Sequence, residues 1–186
     1  MTHMITDAEE TAEALRQRPA PDEYAQGFAG YIARVPDGDV LVTLTRQLDE
    51  TATLLGSVAE ERGSYRYASG KWSIKDVAGH MLDTERIMAY RALRAARGDR
   101  TELPGFEQDD FVRGATFDRR PLRETLEEMR LVRLANISFF RSLSDDELLR
   151  RGVANGNEFT PRAMAFIIAG HERHHLEQLR VRYGLA

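Results

Sequence analysis

The stretch TPRAMAFIIAGHERHHLEQLRVRYG, residues 160–184, reads as one long helix with both ends marked. Thr160 is a good N-cap, Pro161 suits the first helical position, and Gly184 suits a left-handed stop. Met164, Ile167, Ile168 and Leu179 recur at helical spacing and mark the buried stripe, while Arg162, Arg173, Glu177 and Arg180 mark the wet side. Each residue turns about 100° about the axis, so His171 and His175 lie about 40° apart and one turn along. Both project into the middle of the buried stripe, with His174 towards its margin and Gln178 also inward. Burying imidazoles and an amide in hydrocarbon without partners costs several kcal/mol. A partner inside the fold is therefore expected. The i, i+4 spacing allows two imidazoles to share one metal ion.

Outward from this segment, helical periodicity continues with few breakers. WSIKDVAGHMLDTE at 72–85 opens a second helix: Ser73 caps it, Asp76 completes a near capping box, and Gly98 ends it. Its inward stripe is Ile74, Val77, Met81, Thr84 and Met88, and His80 falls beside that stripe. Asp76 and Asp83 flank His80 and could fix its tautomer. Asp83 could instead be a fourth ligand, and a solvated flank is the plainer reading of both.

A further helix is expected over 39–62, with Val42, Leu44, Leu48, Leu55 and Val58 apolar and Gly63 stopping it. Another runs over 121–141 from Pro121, and a capped turn lies at 144–150, with Ser144 and Glu147 forming the box. A short acidic helix is expected at about 6–16. Only 18–39 and 98–121 read as irregular, and strand signals are thin. Four long amphipathic helices make an all-α four-helix bundle the natural packing, with a crossover at the long 98–121 connection. The expected domain organisation is a single bundle over 1–186, its core at about 39–184 and an N-terminal extension at 1–38.

At 186 residues, 42% hydrophobic and 30% charged, the chain can bury a sizeable core unaided, so a metal would serve function rather than folding. The absence of cysteine excludes thiolate sites, a cysteine nucleophile and disulfides, and it fits a reducing compartment. The start lacks a signal peptide's pattern and no segment reaches a membrane span's length, so a cytoplasmic protein with no membrane partner is expected. A net charge of −4 argues against a nucleic-acid partner. Arg86, Arg91, Arg94, Arg97 and Arg100 read as a solvated helix face rather than a phosphate site. No phosphate cradle or serine elbow is present.

These residues resemble the DinB/YfiT-like family of metal-dependent enzymes. The resemblance rests on W-S-x-K-D-x-x-x-H at 72–80, D-T-E-R at 83–86 and Y-R-A-L-R-x-A-R-G-D at 90–99. It continues in L-P-G-F at 103–106 and A-G-H-E-x-H-H at 169–175, and covers most of the chain from Val40 onward. It implies a four-helix bundle of unusual crossover order, a three-histidine metal site at one end, and a homodimer. Its three ligand positions fall on His80, His171 and His175, the trio the helical wheel selects, while His174 matches a position not usually a ligand. Some relatives transfer a low-molecular-weight thiol or isomerise a substrate with thiol assistance.

Three neutral imidazoles favour a divalent transition metal, zinc or nickel first, then iron, cobalt or manganese. Three ligands also leave a position open, as catalytic sites do. The leading expectation is a metal-dependent transferase or hydrolase acting on a small molecule, with a thiol S-transferase included. The alternative is a non-catalytic stress-response metal-binding protein. A DNA-binding module is disfavoured. His171-Glu172-Arg173-His174-His175 also fits H-E-x-x-H, which would make Glu172 a general base, but no third metalloprotease ligand follows His175. ELPGFEQDDF at 102–111 leaves the far end of the His80 helix and is expected to be remote from the metal. Asn155, Asn157 and Glu158 read as a polar capping loop, and His3 is assigned nothing.

Overall fold

The computed structural model describes residues 11–186. Among them, in chain order, lie α1 (Ala29–Ile32), α2 (Val40–Gly56), α3 (Ile74–Ala96), α4 (Gln108–Gly114), α5 (Leu122–Arg141) and α6 (Asp145–Leu148), then β1 (Gly152–Ala154), β2 (Asn157–Phe159) and α7 (Pro161–Tyr183). The expected helix at 6–16 falls largely outside the described residues, as does His3. Within them its end is a 3-10 turn at Glu13–Arg16 that buries Ala14 and Leu15.

The four long helices form a bundle in which α3 packs on α7 and α5, and α2 packs on the same two. Around the bundle the order is therefore α2, α5, α3, α7. Helices consecutive along the chain, α2 with α3 and α5 with α7, sit on diagonals, where a simple up-and-down bundle would place them side by side. The fold is thus the all-α bundle with crossover connections that the helical pattern implied.

Local sequence sets the helix ends. Ser73 caps α3 by accepting from Asp76 N at 3.0 Å, and Asp76 returns the bond to Ser73 N at 2.9 Å. Thr160 caps α7 through Ala163 N at 3.1 Å, and Gly184 closes it at φ 66°. Ser144 and Glu147 form the box expected at α6. The helix expected over 39–62 is shorter. It ends at Gly56, where Ser57 Oγ donates to Leu54 O, and residues 60–64 turn off as a 3-10 segment. Arg62 then donates to the carbonyls of Tyr183 and Gly184, so this segment is tied to the end of α7 instead of prolonging α2. Val42 faces outward, 47% exposed, and Leu41 and Leu54 take inward positions.

Two apolar clusters fill the bundle. One gathers Leu15, Ile32, Leu41, Leu44, Met88, Phe140 and Phe166; the other gathers Leu54, Ile74, Met81, Leu82, Leu176 and Leu179. Each such side chain fully buried contributes about 1.5–3 kcal/mol. Between the clusters each long helix supplies buried polar groups: Gln47 and Thr51 from α2, His80, Thr84 and Glu85 from α3, Arg133 from α5, and His171, Glu172 and His175 from α7. A polar layer therefore crosses the middle of the bundle. The histidines sit in that layer, not at an end of the helices as the family resemblance implied.

Three other segments depart from the expectations drawn from sequence. Residues 152–159 form a hairpin rather than a capping loop, its turn made by Asn155 and Gly156 at φ 50° and 71°. Leu103 pairs with this hairpin, donating to Val153 O and accepting from Asn155 N. Residues 108–119 then run back along α3, so that Phe117 covers Gly79 and Asp118 accepts from Ser73 Oγ at 2.7 Å. The chain must return the length of α3 before α5 starts, and this brings the acidic connection to the His80 end instead of leaving it remote. Arg162, assigned to the wet side, is buried against Glu23 from the N-terminal segment.

Candidate metal centre

α3 and α7 lie side by side, and each presents its histidines to the polar layer. Nε2 of His171 lies 3.0 Å from Nε2 of His80 and 3.0 Å from Nε2 of His175. One nitrogen from each ring falls within 4.8 Å of the others, and all three side chains are buried. Burial depresses their basicity. The His80 pKa falls to about 4 and that of His175 to about 3, while His171 lies well below the ordinary 6.5, lowered further by the charge its neighbouring histidines would carry. All three are neutral at pH 7, the state in which an imidazole can donate a lone pair to a metal.

The donor set can be tested against that group. A neutral Nε2 carries either one hydrogen or one lone pair. His171 Nε2 therefore cannot serve both neighbours well, whichever tautomer it takes. Three lone pairs directed at one cation resolve the conflict, and buried nitrogen donors without a carboxylate suit a divalent transition ion better than calcium or magnesium.

The surroundings close around the trio. Trp72 packs on His80 with ring centroids 4.7 Å apart, and Tyr31 of α1 sets its ring edgewise to His171 at 5.3 Å. Tyr31 reaches this position because Gly170 has no Cβ; any side chain there would overlap the Tyr31 carbonyl. Nothing in the sequence pattern points to Tyr31, since a four-residue helix has no periodicity to read. His174 is half-buried and meets Gln178 Nε2 at 2.8 Å rather than joining the trio. Neither flanking aspartate bonds His80. Asp76 is engaged by Ser73 N and by Arg66 at 2.7 Å, and Asp83 is half-buried beside Arg86, with burial raising its pKa. The carboxylate whose charge reaches His80 is Asp109, on the returning segment.

A model of the DinB superfamily matches residues 43–179. The chain belongs to the DinB superfamily. A protein of Oceanobacillus iheyensis described as a candidate metal-dependent hydrolase is 24% identical over 140 residues, spanning 75% of this chain and 79% of that one. Among solved structures, YfiT from Bacillus subtilis superposes with a TM-score of 0.66 at 14% identity, over 92% of this chain and 95% of that one. It is described as a metal-dependent hydrolase candidate with an unusual four-helix bundle topology. The colibactin self-resistance protein ClbS, solved with double-stranded DNA, superposes with a TM-score of 0.57 at 14% identity, over 76% and 93% of the two chains. The two structural likenesses show the fold.

In this DinB-superfamily chain the second residue of H-E-R-H-H is already committed. Glu172 is buried, and its carboxylate accepts from Thr51 Oγ1 and from Arg133 Nη2 at 2.5 Å. Arg133 also grips Glu85 through two bonds of 2.8 Å and donates to Leu44 O at 3.0 Å. Burial raises the Glu172 pKa, and the two carboxylates hold the Arg133 guanidinium charged against its own burial. Glu172 is thus part of a buried ion network, not a free general base.

Beside the trio, a cleft of about 710 Å³ opens where Trp72, Asp76 and Arg66 face Asp109, Arg113 and Asp118. Its walls carry both signs of charge, and Trp72 and Asp109 connect it to His80. The arginines at 86–100 are engaged locally: Arg86 with Glu128, Arg94 with Asp99, Arg97 with Glu147 and Arg100 with Glu158. Arg91 is buried, donating to Pro104 O and lying over Phe106. They serve packing, not a phosphate site. Among the described residues no helix is long and apolar enough to cross a membrane.

Proposed function

We propose that this DinB-superfamily protein is a metal-dependent hydrolase of small polar molecules, its ion held by His80, His171 and His175. The observation that carries the reading is the place of His171 Nε2 between two other buried Nε2 atoms, 3.0 Å from each. When bound, a divalent ion with three imidazole ligands supplies Lewis acidity and an open coordination position. The descriptions of the Oceanobacillus iheyensis protein and of YfiT support the hydrolase reading over a purely structural site.

The chain's own groups do the rest. Trp72 and Tyr31 wall the rings off from bulk water and hold them in place. The cleft of Arg66, Asp76, Asp109, Arg113 and Asp118 offers donors and acceptors to a substrate with polar groups of both kinds. Zinc and nickel are the first candidates for the ion. The same reading carries a homodimer and no DNA partner, checked by sedimentation and by titration with duplex DNA.

The test begins with elemental analysis of tag-free protein, wild type beside His171→Ala. One equivalent in the wild type and little in the variant is expected. A screen of esters, amides and lactones, with thiol and electrophile pairs beside them, then follows on loaded protein. Turnover only with a thiol would move the reading to a transferase. Metal binding that raises the melting temperature without any turnover would favour the stress-response binding protein. No metal, even after incubation with zinc, nickel and manganese, would overturn the site itself.

A further inference from the structure

Behind the trio, between α3, α5 and α7, lies a void of about 10 Å³, the room one water molecule occupies. Its polar lining is Thr84, Glu85, Arg133, His171 and Glu172. Thr84 is the unexplained member. It sits one turn after His80, is only 3% exposed, and its hydroxyl has no hydrogen-bond partner. A threonine inside a helix ordinarily donates to the carbonyl four residues back, but no such bond to His80 O is made here. A buried hydroxyl facing a void lined by two carboxylates, a guanidinium and an imidazole calls for a group that can accept and donate at once.

We propose that this void holds one ordered water, and that through it Thr84 and the Glu85–Arg133–Glu172 network position the His171 ring. The carboxylates have capacity to spare: Glu85 Oε2 and Glu172 Oε1 each accept one bond, from Arg133 and Thr51 respectively, and each oxygen can accept a second. The water therefore finds the two to four partners a buried water requires. Both contacts of His171 within the trio are made at Nε2, so its orientation has to be fixed from the ring's other side. A metal-bound histidine is commonly held in this way by a hydrogen bond at the nitrogen that does not ligate. Thr84 is then a positioning residue: it touches neither ion nor substrate.

The positioning half rests on the metal reading above; the water itself does not. A crystal structure of the metal-free protein should show a water within hydrogen-bond distance of Thr84 Oγ1, and the same void dry in Thr84→Val. An empty void in the wild type overturns the proposal. Zinc affinity, measured by competition with a chromophoric chelator, should weaken about tenfold in Thr84→Val and stay close to wild type in Thr84→Ser. The metal-free melting temperature of Thr84→Val should equal or exceed that of the wild type. Unchanged affinity in Thr84→Val sinks the positioning role, as does a loss that Thr84→Ser fails to rescue. Wild-type protein that takes up no zinc overturns the metal reading and the positioning role together, and the crystal structure then decides the water alone.

Discussion

Nε2 of His80 lies 3.0 Å from Nε2 of His171, although 91 positions separate the two residues. The contact joins α3 to α7 across the middle of the bundle. With His175 on the same side of α7, the three rings compete for one small space that a single Nε2 cannot satisfy alone. Replacing His171 or His80 with alanine should weaken zinc or nickel binding by more than about 100-fold, since even loss of an outer-shell partner costs 10–100-fold. His174→Ala should leave binding largely intact, because His174 pairs with Gln178. Calorimetric titration of the three variants checks this. Equal loss in all three would mean the ligand set is wrong.

Gly170 sits where α1 crosses α7 and is the closest backbone approach to the site. In Gly170→Ala the new Cβ would meet the Tyr31 carbonyl, a backbone group that cannot rotate away. Overpacking of this kind costs about 1–3 kcal/mol. Because Tyr31 packs on His171, the strain should also reach the metal. Urea unfolding and metal titration of the variant measure both, and a variant as stable as the wild type would show that α1 docks more loosely than the structure indicates.

Much of this architecture is legible in the amino-acid sequence. Ser73, Ser144, Thr160 and Gly184 mark helix ends through contacts only a few residues apart, and the histidine trio follows from the wheel on α7 and the sequence resemblance. What escapes is non-local or too short to be periodic. Arg162 lies on the polar side of its helix by sequence, yet Glu23, 139 positions earlier, draws it into the protein. Glu172 reads as a catalytic base by motif until Arg133 and Thr51 are seen to occupy it. The Asn155–Gly156 turn is readable as a hairpin signal, but the three-residue strands beside it leave almost no alternation to detect. The return of residues 108–119 to His80 depends on bundle topology, which no local pattern encodes.

The Glu23–Arg162 pair predicts a pH dependence. Burial alone would raise the Glu23 pKa, but Arg162, Ala20 N and Thr160 Oγ1 together hold it below the ordinary 4.5. A carboxylate with a depressed folded pKa contributes stability that is present above the unfolded value and lost as pH falls through the folded one. Glu23→Gln should therefore cost about 3 kcal/mol at pH 7, the scale of breaking a buried pair. The gap should narrow as pH drops below 4.5. Melting curves of both proteins across this range test it, and a gap constant with pH would show that the pair's charge does not stabilise the fold.

Arg133 carries the largest expected effect. Its guanidinium is buried on α5, and it is the one group that separates Glu85 on α3 from Glu172 on α7. Removing it in Arg133→Leu leaves two buried carboxylates facing each other, each stripped of charge-assisted bonds, and should destabilise the protein by about 3–5 kcal/mol. The cost comes from the charges left behind more than from the net worth of the network. Replacing all three residues, as Arg133→Leu with Glu85→Leu and Glu172→Leu, should therefore recover most of the lost stability. If the triple variant is no better than Arg133→Leu, shape rather than charge holds this layer together. If the triple variant folds well but binds metal poorly, the network is kept for the histidines it stands behind, at a site where an apolar layer would otherwise have served the fold.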